Sequence, residues 1–433
     1  MKLPERYLYH AWDGRHFTPE METISHKKVK ILFPGYLNTN AGPDYHHAVL
    51  ELNGKVFRGD IEIHLKTNDW LAHMHHEDPV YNHVILHVVL EHNGRNPFTI
   101  TENGNRIEIL ELMPFLEGDI SQFQPGASQF AGREPFCAFF AGMQPDQVKI
   151  VLNHYGMERL QRRVSRFQAE AHFNDLDQLL YQSIMEAMGY RQNQFPLLIL
   201  AEQIPLKKIR QWIKDGMTSD ELYAIYIVSS GLISRFKQES DKDHWHEIYK
   251  RQKFFHTSIH CDWNLFRIRP AHHPVKRLAH FAHFICSDSA QNWLSHVHRI
   301  FSEHCHERAG LENRLMDWFD SRDSSIQNSG QWGRNFIRLL ALNTLIPLEI
   351  LNARRLKDRN LESRIIEAYR TYPGLPENAQ LRNMKGIMTP GQVMQLKNSA
   401  IRQLGLQQLY RESCTVHDCQ VCITHKSKIL SSL

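Results

Sequence analysis

Residues 56–66 form the segment that most restricts the fold of this 433-residue chain. Polar and apolar side chains alternate along it, and in a β-strand such neighbours point to opposite faces of the sheet. One face carries isoleucine and leucine, and the other carries Asp60, Glu62, His64 and Lys66. An amphipathic edge strand would show the same pattern. However, burying two acids, an imidazole and an amine without a partner is costly, and a bound divalent cation would supply that partner.

The neighbouring segments predict the rest of a sheet. Asn53-Gly54 is the dipeptide most typical of a two-residue hairpin turn, so the strand before it pairs with 56–66. Residues 84–90 are almost continuously apolar, which is typical of a strand covered on both faces. Further strands are predicted at 28–33, 47–52 and 107–110, a short helix at 4–12, and partly helical structure at 69–82.

The second part of the chain has helical rather than strand periodicity. Helices are predicted at 146–172, 176–189, 205–214, 219–237, 275–287, 290–305, 333–345 and 361–371. Gly, Pro, Ser and Gln between the two parts are typical of a linker. The predicted fold class is therefore α+β, in which an N-terminal α/β domain with a mixed sheet precedes a mostly helical domain. The predicted boundaries are 1–120 for the first domain, 121–143 for the linker, 144–410 for the helical domain and 411–433 for a cysteine-bearing tail.

Composition narrows the possible function classes. A net charge of only +4 gives no strong global field, so contact with DNA or RNA requires a local basic patch. No apolar run reaches the roughly 18 residues that span a bilayer, and the N-terminus lacks the apolar core of a signal peptide. The seven cysteines are an odd number, which argues against a disulfide framework. We therefore predict a cytoplasmic protein without a membrane segment, whose oligomeric state the sequence leaves open.

Histidine is unusually frequent, with 28 in the chain and seven within residues 64–92. It is a common metal ligand. On a helix His73 and His76 share a face, whereas on an extended segment His73 aligns with His75. His87 interrupts an apolar strand and is expected to point inward, where a hydrogen-bonded core role is more common than metal binding. One candidate centre is thus a histidine-rich hydrolase site of Asp60, Glu62, His64, His73 and His87.

Asp44 follows Pro43 and precedes the hairpin that leads to Glu62. This order of Pro-Asp, strand, hairpin and Glu-x-His strand resembles the PD-(D/E)xK nuclease superfamily. The resemblance implies an α-β-β-β-α-β core in which Asp44 and Glu62 bind a metal ion. His64 stands where that superfamily has lysine, and Lys66, one pleat further on, can supply the amine instead. The implied activity is metal-dependent hydrolysis of DNA or RNA, with Asp44, Glu62, His64 and Lys66 as catalytic residues.

The chemistry of phosphodiester hydrolysis agrees with these residue types. A divalent metal polarises the phosphoryl oxygen and generates hydroxide at neutral pH. Carboxylates favour magnesium or manganese, and imidazoles make manganese or zinc more favourable. The candidate ligands are Asp44, Asp60, Glu62, His73, His75 and His87. Two alternatives remain open: a non-catalytic nucleic-acid-binding or partner-binding protein on the same fold, and a histidine-rich metallohydrolase of a small molecule.

Other motifs are spread over most of the chain. They are Phe33-Pro34-Gly35, Asn38, 41–44, 59–64, Asp69-Trp70, His73-x-His75, Tyr81-Asn82, 86–89, 186–190, Asn193, Arg269-Pro270, Pro274 and Arg277. Together they resemble an uncharacterised bacterial protein family, a domain of unknown function. The resemblance implies a shared fold whose activity is unassigned.

A cysteine cluster lies near the end of the chain, at Cys414, Cys419 and Cys422. Three thiols at this spacing suit a tetrahedral zinc site or an iron–sulfur cluster. The fourth ligand is open among His425, His417 and a distant thiol such as Cys137. The alternative is a flexible tail with three reduced thiols.

Two basic segments are candidates for contact with phosphates. Four arginines share one face of the predicted helix 146–172, at Arg159, Arg162, Arg163 and Arg166. Such a stripe can contact the backbone of DNA or RNA, although a solvated face paired with carboxylates is the more common outcome. A second basic segment surrounds two prolines and contains Arg267, Arg269, Lys276 and Arg277.

Overall fold

The computed structural model describes residues 5–116, 137, 139–190, 192–287, 292–320, 332–414, 426–427 and 429–431. The chain divides into two compact units. We call them the sheet unit, Met1–His172 with Pro376–Leu433, and the helical unit, Phe173–Leu375. The α+β fold class is confirmed, because a mixed sheet precedes a mostly helical region. The domain boundaries drawn from the sequence stay a prediction.

Eight strands form the sheet in the described part of the chain. They are β1 (Met21–Glu22), β2 (Lys28–Phe33), β3 (Tyr36–Leu37), β4 (Tyr45–Leu52), β5 (Lys55–Lys66), β6 (Val84–Glu91), β7 (Phe98–Ile100) and β8 (Arg106–Glu111). All five strands expected from the sequence are present, with ends that shift by at most two residues. The three additional strands, β1, β3 and β7, are too short for an alternating pattern to register.

The helices begin with α1 and α2 beside the sheet and continue through both units. They are α1 (Arg6–Gly14), α2 (Asp69–Ala72), α3 (Pro145–Glu170), α4 (Leu176–Met188), α5 (Gln194–Gln203), α6 (Leu206–Lys214), α7 (Ser219–Ser229), α8 (Glu239–Arg251), α9 (Pro274–Ser287), α10 (Trp293–His304), α11 (Arg308–Asp320), α12 (Arg334–Leu340), α13 (Ile346–Leu356), α14 (Arg359–Arg370), α15 (Ala379–Lys385), α16 (Pro390–Met394) and α17 (Ala400–Leu409). Helices α4–α14 lie in the helical unit, and the others lie in the sheet unit.

The strand order is β1-β2-β4-β5-β6-β8-β7, with β3 paired to β4. Strands β2, β4 and β5 pair antiparallel, whereas β5, β6 and β8 pair parallel. The hairpin between β4 and β5 turns at Asn53 and Gly54, whose φ angles of 47° and 81° are those that a two-residue turn requires. In the parallel pair, Glu62 of β5 lies beside His87 of β6.

The two faces of β5 differ as the alternating pattern predicts. Ile61 and Ile63 are fully buried and belong to the same apolar cluster as Trp12 of α1 and Tyr45 of β4. This cluster fixes the register of β5, because a slip by one residue would place polar side chains in the core. The polar face is thereby fixed on the opposite side of the sheet.

Helices α3 and α17 pack against each other within the sheet unit, and two glycines permit the close approach. A Cβ atom at Gly405 would lie 2.0 Å from the carbonyl oxygen of Leu152, and one at Gly156 would lie 2.4 Å from that of Ile401. Backbone contacts at this distance leave no room for a side chain. The C-terminal helix is thus held against α3 in the unit that contains the sheet.

The helical unit contains one unusually long helical stretch. Helix α12 runs through one π-helical segment, Ala341–Leu345, into α13, so the predicted helix 333–345 continues to Leu356. Within the described residues, Arg334–Leu356 is long and apolar enough by composition to cross a membrane. However, 83% of its apolar window is buried inside the protein, as in the core helix of a folded unit.

Candidate metal centre

The polar face of β5 forms the base of the candidate centre. Glu62 and His64 are 5% and 1% exposed. His87 of β6 is fully buried, as expected from the sequence, and its Nε2 lies 2.9 Å from Nδ1 of His64. The two parallel strands alone therefore bring three of the predicted residues together.

The C-terminus of α2 turns the chain back toward β5. The N–H of Met74 donates to the carbonyl of Leu71, and the N–H of His75 donates to that of Trp70. With Met74 at a φ of 64°, these bonds form a Schellman motif. The left-handed position usually holds glycine, so Met74 costs about 1 kcal/mol of backbone strain. The turn allows both His73 and His75 to reach the strand.

Four side chains converge at this point. Nδ1 of His73 lies 3.1 Å from Nε2 of His64, and Nε2 of His75 lies 3.0 Å from Oε1 of Glu62. The second contact is not aligned as a hydrogen bond, so Nε2 of His75 is buried without a hydrogen-bond partner among the described residues. One ring nitrogen from each of the three histidines lies within 4.8 Å of the other two. Three imidazoles and one carboxylate are a donor set that suits zinc or manganese.

Asp44 extends the centre with a second carboxylate. Its backbone N–H donates to Oε2 of Glu62 at 3.1 Å, and its Oδ2 accepts from the N–H of Ile63 at 2.9 Å. The Tyr9 hydroxyl donates to Oδ1 at 2.7 Å. Asp44, just before β4, and Glu62, within β5, are therefore held next to each other.

Burial and mutual repulsion make the two acids difficult to ionise in the absence of a cation. Burial, and then the neighbouring Asp44, raises the pKa of Glu62 from 4.5 to about 9. Burial likewise raises the pKa of Asp44. A third acid, Glu5, has its pKa raised to about 7 by burial and then by Asp44 and Glu62. A nearby cation would reverse these shifts, because it favours the ionised carboxylates.

The histidines are disposed toward their neutral, ligating form. Burial, followed by the neighbouring histidines, lowers the pKa of His64 to about 2 and that of His87 to about 3. Burial also lowers the pKa of His75. Neutral imidazoles carry the free lone pair that a metal needs. The arrangement thus pairs two acids with imidazoles that carry no charge to neutralise them.

The contact between His64 and His87 couples the tautomers of the two rings. A proton on Nδ1 of His64, donated to Nε2 of His87, leaves the lone pair on Nε2 of His64 facing His73 and Glu62. This outer hydrogen bond is the usual way in which proteins orient a ligating histidine. His87, predicted as a ligand, is therefore positioned behind His64 rather than at the point of convergence.

Aromatic side chains hold the histidines in place. Tyr81 stacks on His75 with ring centroids 3.8 Å apart, and the buried ring of Trp70 lies 5.2 Å from His87 and 5.4 Å from His75. Sequence reasoning assigned no role to Tyr9, Trp70 or Tyr81. Trp70 and Tyr81 belong to the motifs that resemble the uncharacterised family, and those motifs were the sequence signal that could have pointed to them. No sequence pattern pointed to Tyr9, because its hydrogen-bond partner Asp44 lies 35 residues away in the chain.

Asp60 and Lys66 lie outside the point of convergence. Asp60 accepts from the N–H of His47 and lies 3.3 Å from Nδ1 of His46. The Lys66 side chain is exposed at the end of β5, and its backbone N–H donates to Asp69. None of the contacts around Glu62 described above involves either residue.

The arginine stripe on α3 is largely engaged within the sheet unit. Arg159 and Arg166 are each only 7% exposed, and Arg166 lies over the rings of Phe33 and Tyr36. Arg162 pairs with Glu158 and Glu412, and Arg163 is half-buried. Contact with nucleic acid through Arg159, Arg162, Arg163 and Arg166 stays a prediction, and the burial of two members does not favour it.

The predicted cysteine site falls almost entirely outside the described residues. Cys419, Cys422 and His425 lie there, as does His417. Cys414 packs against the same apolar cluster as Cys137. A zinc or iron–sulfur site at the tail stays a prediction.

Comparison with known proteins identifies the family and no activity. No curated protein and no solved structure matches the chain. The motifs that suggested an uncharacterised family fall within one family model, described as "Protein of unknown function (DUF2851)". That model matches residues 5–378, most of the chain, so the protein belongs to this family.

Proposed function

We propose that this protein is a metal-dependent hydrolase that cleaves phosphodiester bonds of DNA or RNA. The observation that carries the proposal is the convergence of Asp44 and Glu62 with three histidines. Burial raises the pKa values of Asp44 and Glu62 and lowers that of His64, and a bound cation would stabilise the ionised carboxylates. Functional sites are where such perturbed groups cluster.

The residues of the site have different roles in the proposed reaction. Glu62, His64 and His75 supply the inner donors, and Asp44 supplies a second carboxylate beside them. A bound divalent ion would polarise the phosphoryl oxygen and lower the pKa of a water molecule. His73 is the exposed imidazole of the three, so we assign it to proton exchange with the attacking water rather than to the inner donors. Lys66 is the alternative for that role.

The element order supports a phosphodiester substrate. The sheet unit runs α1, β2, β4, β5, α2, β6, with β1 and the two-residue β3 between, which corresponds to the α-β-β-β-α-β order of PD-(D/E)xK nucleases. Asp44 immediately precedes β4, the second of these strands, and Glu62 lies on β5, the third. The histidine at position 64 departs from that pattern. Because imidazoles are among the donors, we propose manganese or zinc alongside magnesium as the bound metal. We also propose that the protein is cytoplasmic.

A histidine-rich metallohydrolase of a small molecule is the second candidate. The observation that favours it is the meeting of His64, His73 and His75 at one point. A non-catalytic binding protein on the same fold remains the alternative if no substrate is turned over.

The test is cleavage of labelled single-stranded and double-stranded DNA and RNA with magnesium, manganese or zinc. Glu62→Gln keeps the shape of the side chain and removes its charge. The matched control is Glu91→Gln, the same substitution at an exposed position on the adjoining strand β6. We expect metal-dependent cleavage by the wild type and by Glu91→Gln, and at least a 100-fold loss in Glu62→Gln, by analogy with loss of a key transition-state contact.

Three results would change the assignment. Cleavage that persists in Glu62→Gln would remove Glu62 from the reaction. Hydrolysis of a simple phosphodiester such as bis-(p-nitrophenyl) phosphate, without cleavage of nucleic acid, would favour the small-molecule hydrolase. Metal binding without hydrolysis of either substrate would favour the binding protein.

A further inference from the structure

The segment that leads into α9 presents an aromatic ring to solvent. Phe266 is 71% exposed, more than any other large apolar side chain in the described residues. The guanidinium of Arg267 lies over its ring, 4.9 Å from the centroid. We define the basic-aromatic loop as residues 266–276, which ends within the first turn of α9. A single exposed phenylalanine is ordinary, so the surroundings decide whether this one has a role.

The loop is anchored rather than loose. Asn193, which is almost fully buried, both accepts from the N–H of Asn264 and donates to its carbonyl, each at 2.9 Å. The Trp263 indole donates to the carbonyl of Ser230 at 2.8 Å. The side chain of Asn264 in turn accepts from the N–H of Phe266 at 3.3 Å. These bonds fix the backbone just before the ring, so the ring is exposed by a defined conformation.

Arg267 adds backbone strain at the same place. Its φ of 53° lies in the left-handed region, which costs about 1 kcal/mol for a residue with a side chain. Strain of this kind persists where surrounding contacts impose it, and it concentrates at functional sites. Here it accompanies the placement of the guanidinium over the ring.

The loop also concentrates positive charge. Arg267, Arg269 and Lys276 are exposed, and within the described part of the chain none of the ion pairs involves them. Burial and then the cations Arg277 and Arg269 lower the pKa of His272. Its ring also stacks on Tyr190 at 3.9 Å, which gives the surface a rigid base.

We propose that the basic-aromatic loop binds single-stranded nucleic acid. An exposed ring offers a stacking platform for an unpaired base, and neighbouring arginine and lysine side chains bind the adjacent phosphates. A duplex keeps its bases stacked on each other, so the ring gives it no equivalent contact. The proposal deepens the proposed function, because it names the single strand as the preferred form of the substrate. Binding itself does not require the metal centre.

The experiment measures fluorescence anisotropy of labelled 20-nucleotide single strands and of a duplex, in EDTA so that no cleavage occurs. Phe266→Ala should weaken single-strand binding about 5- to 150-fold, the value of one stacked base, while Phe266→Tyr should bind like wild type. Arg269→Ala should reduce the slope of log Kd against log salt by about 0.7, as expected for one phosphate contact to a single strand. Lys237→Ala, an exposed charge elsewhere in the helical unit, is the control.

The outcomes separate this proposal from the proposed function. Single-strand binding that depends on Phe266, in a protein that cleaves no nucleic acid, would support binding by the basic-aromatic loop and overturn the proposed nuclease activity. Cleavage lost in Glu62→Gln, with single-strand binding unchanged in folded Phe266→Ala, would support the nuclease and overturn the loop. Equal affinity for duplex and single strand, or Phe266-dependent binding to phosphatidylserine vesicles without binding to nucleic acid, would also overturn the loop.

Discussion

Replacing Glu62 by glutamine should stabilise the metal-free sheet unit at neutral pH. The pKa of Glu62 is about 9 in the folded protein and 4.5 for an ordinary glutamate. When the pH is below both pKa values, the carboxyl is protonated in the folded and in the unfolded state, and it affects the free energy of unfolding little. Between them the unfolded state releases the proton and the folded state retains it, so stability falls as pH rises.

The size of this loss of stability follows from a difference of one bound proton between the folded and the unfolded state. Each pH unit within this window costs about 1.4 kcal/mol, so the penalty is below about 1 kcal/mol at pH 5 and about 3 kcal/mol at pH 7. Glutamine cannot ionise and escapes the penalty. We therefore expect the advantage of Glu62→Gln over wild type to grow by about 2–3 kcal/mol between pH 5 and pH 7.

The assay is amide hydrogen exchange of β5 and β6 peptides in a chelator. It reports on the sheet unit alone, whereas global unfolding mixes two units that need not unfold together. Manganese or zinc at about 1,000 times its Kd should reverse the order of stability, because it stabilises wild type by about 4.1 kcal/mol, more than the penalty of about 3 kcal/mol at pH 7. Glu91→Gln should behave like wild type throughout. A Glu62→Gln protein that is equally destabilised at both pH values would refute the electrostatic reasoning.

Three further substitutions test the packing and the orientation of the site. His87→Leu should weaken metal binding about 10- to 100-fold, because His87 orients His64, whereas His87→Gln should keep part of the affinity. Competition with a chromophoric chelator measures the affinity of each variant. Equal losses in both variants would exclude a role of His87 in orienting His64. Met74→Gly should stabilise the metal-free sheet unit by about 0.5–1 kcal/mol in hydrogen exchange, because glycine relieves the left-handed strain; a loss of stability would contradict this. Gly405→Ala should destabilise the packing of α17 against α3 by about 1–3 kcal/mol in hydrogen exchange of α3 and α17 peptides. Gly391→Ala in α16, whose Cβ would make only an ordinary 3.5 Å contact with Pro145, should not.

Local patterns in the sequence determined the sheet and one half of the site. Alternation along β5, the Asn-Gly turn and the apolar run of β6 depend on neighbours in the chain, so they placed Glu62 and His64 on one face. The inward position of His87 followed from the same reasoning. The fold class followed from the change of period after the sheet. The short strands β1, β3 and β7 carried no period to detect.

The tertiary structure decided which polar residues meet. Asp60 and Lys66 share a face with Glu62 in the sequence pattern, yet their contacts lie elsewhere, because a strand face extends beyond any single site. His73 and His75 were ambiguous between helix and extended chain, and the left-handed turn at Met74 lets both reach β5. The arginines of α3 shared a stripe, but packing within the sheet unit buried Arg159 and Arg166. Periodicity fixes the direction of a side chain relative to its own element, and only packing between elements determines its partner.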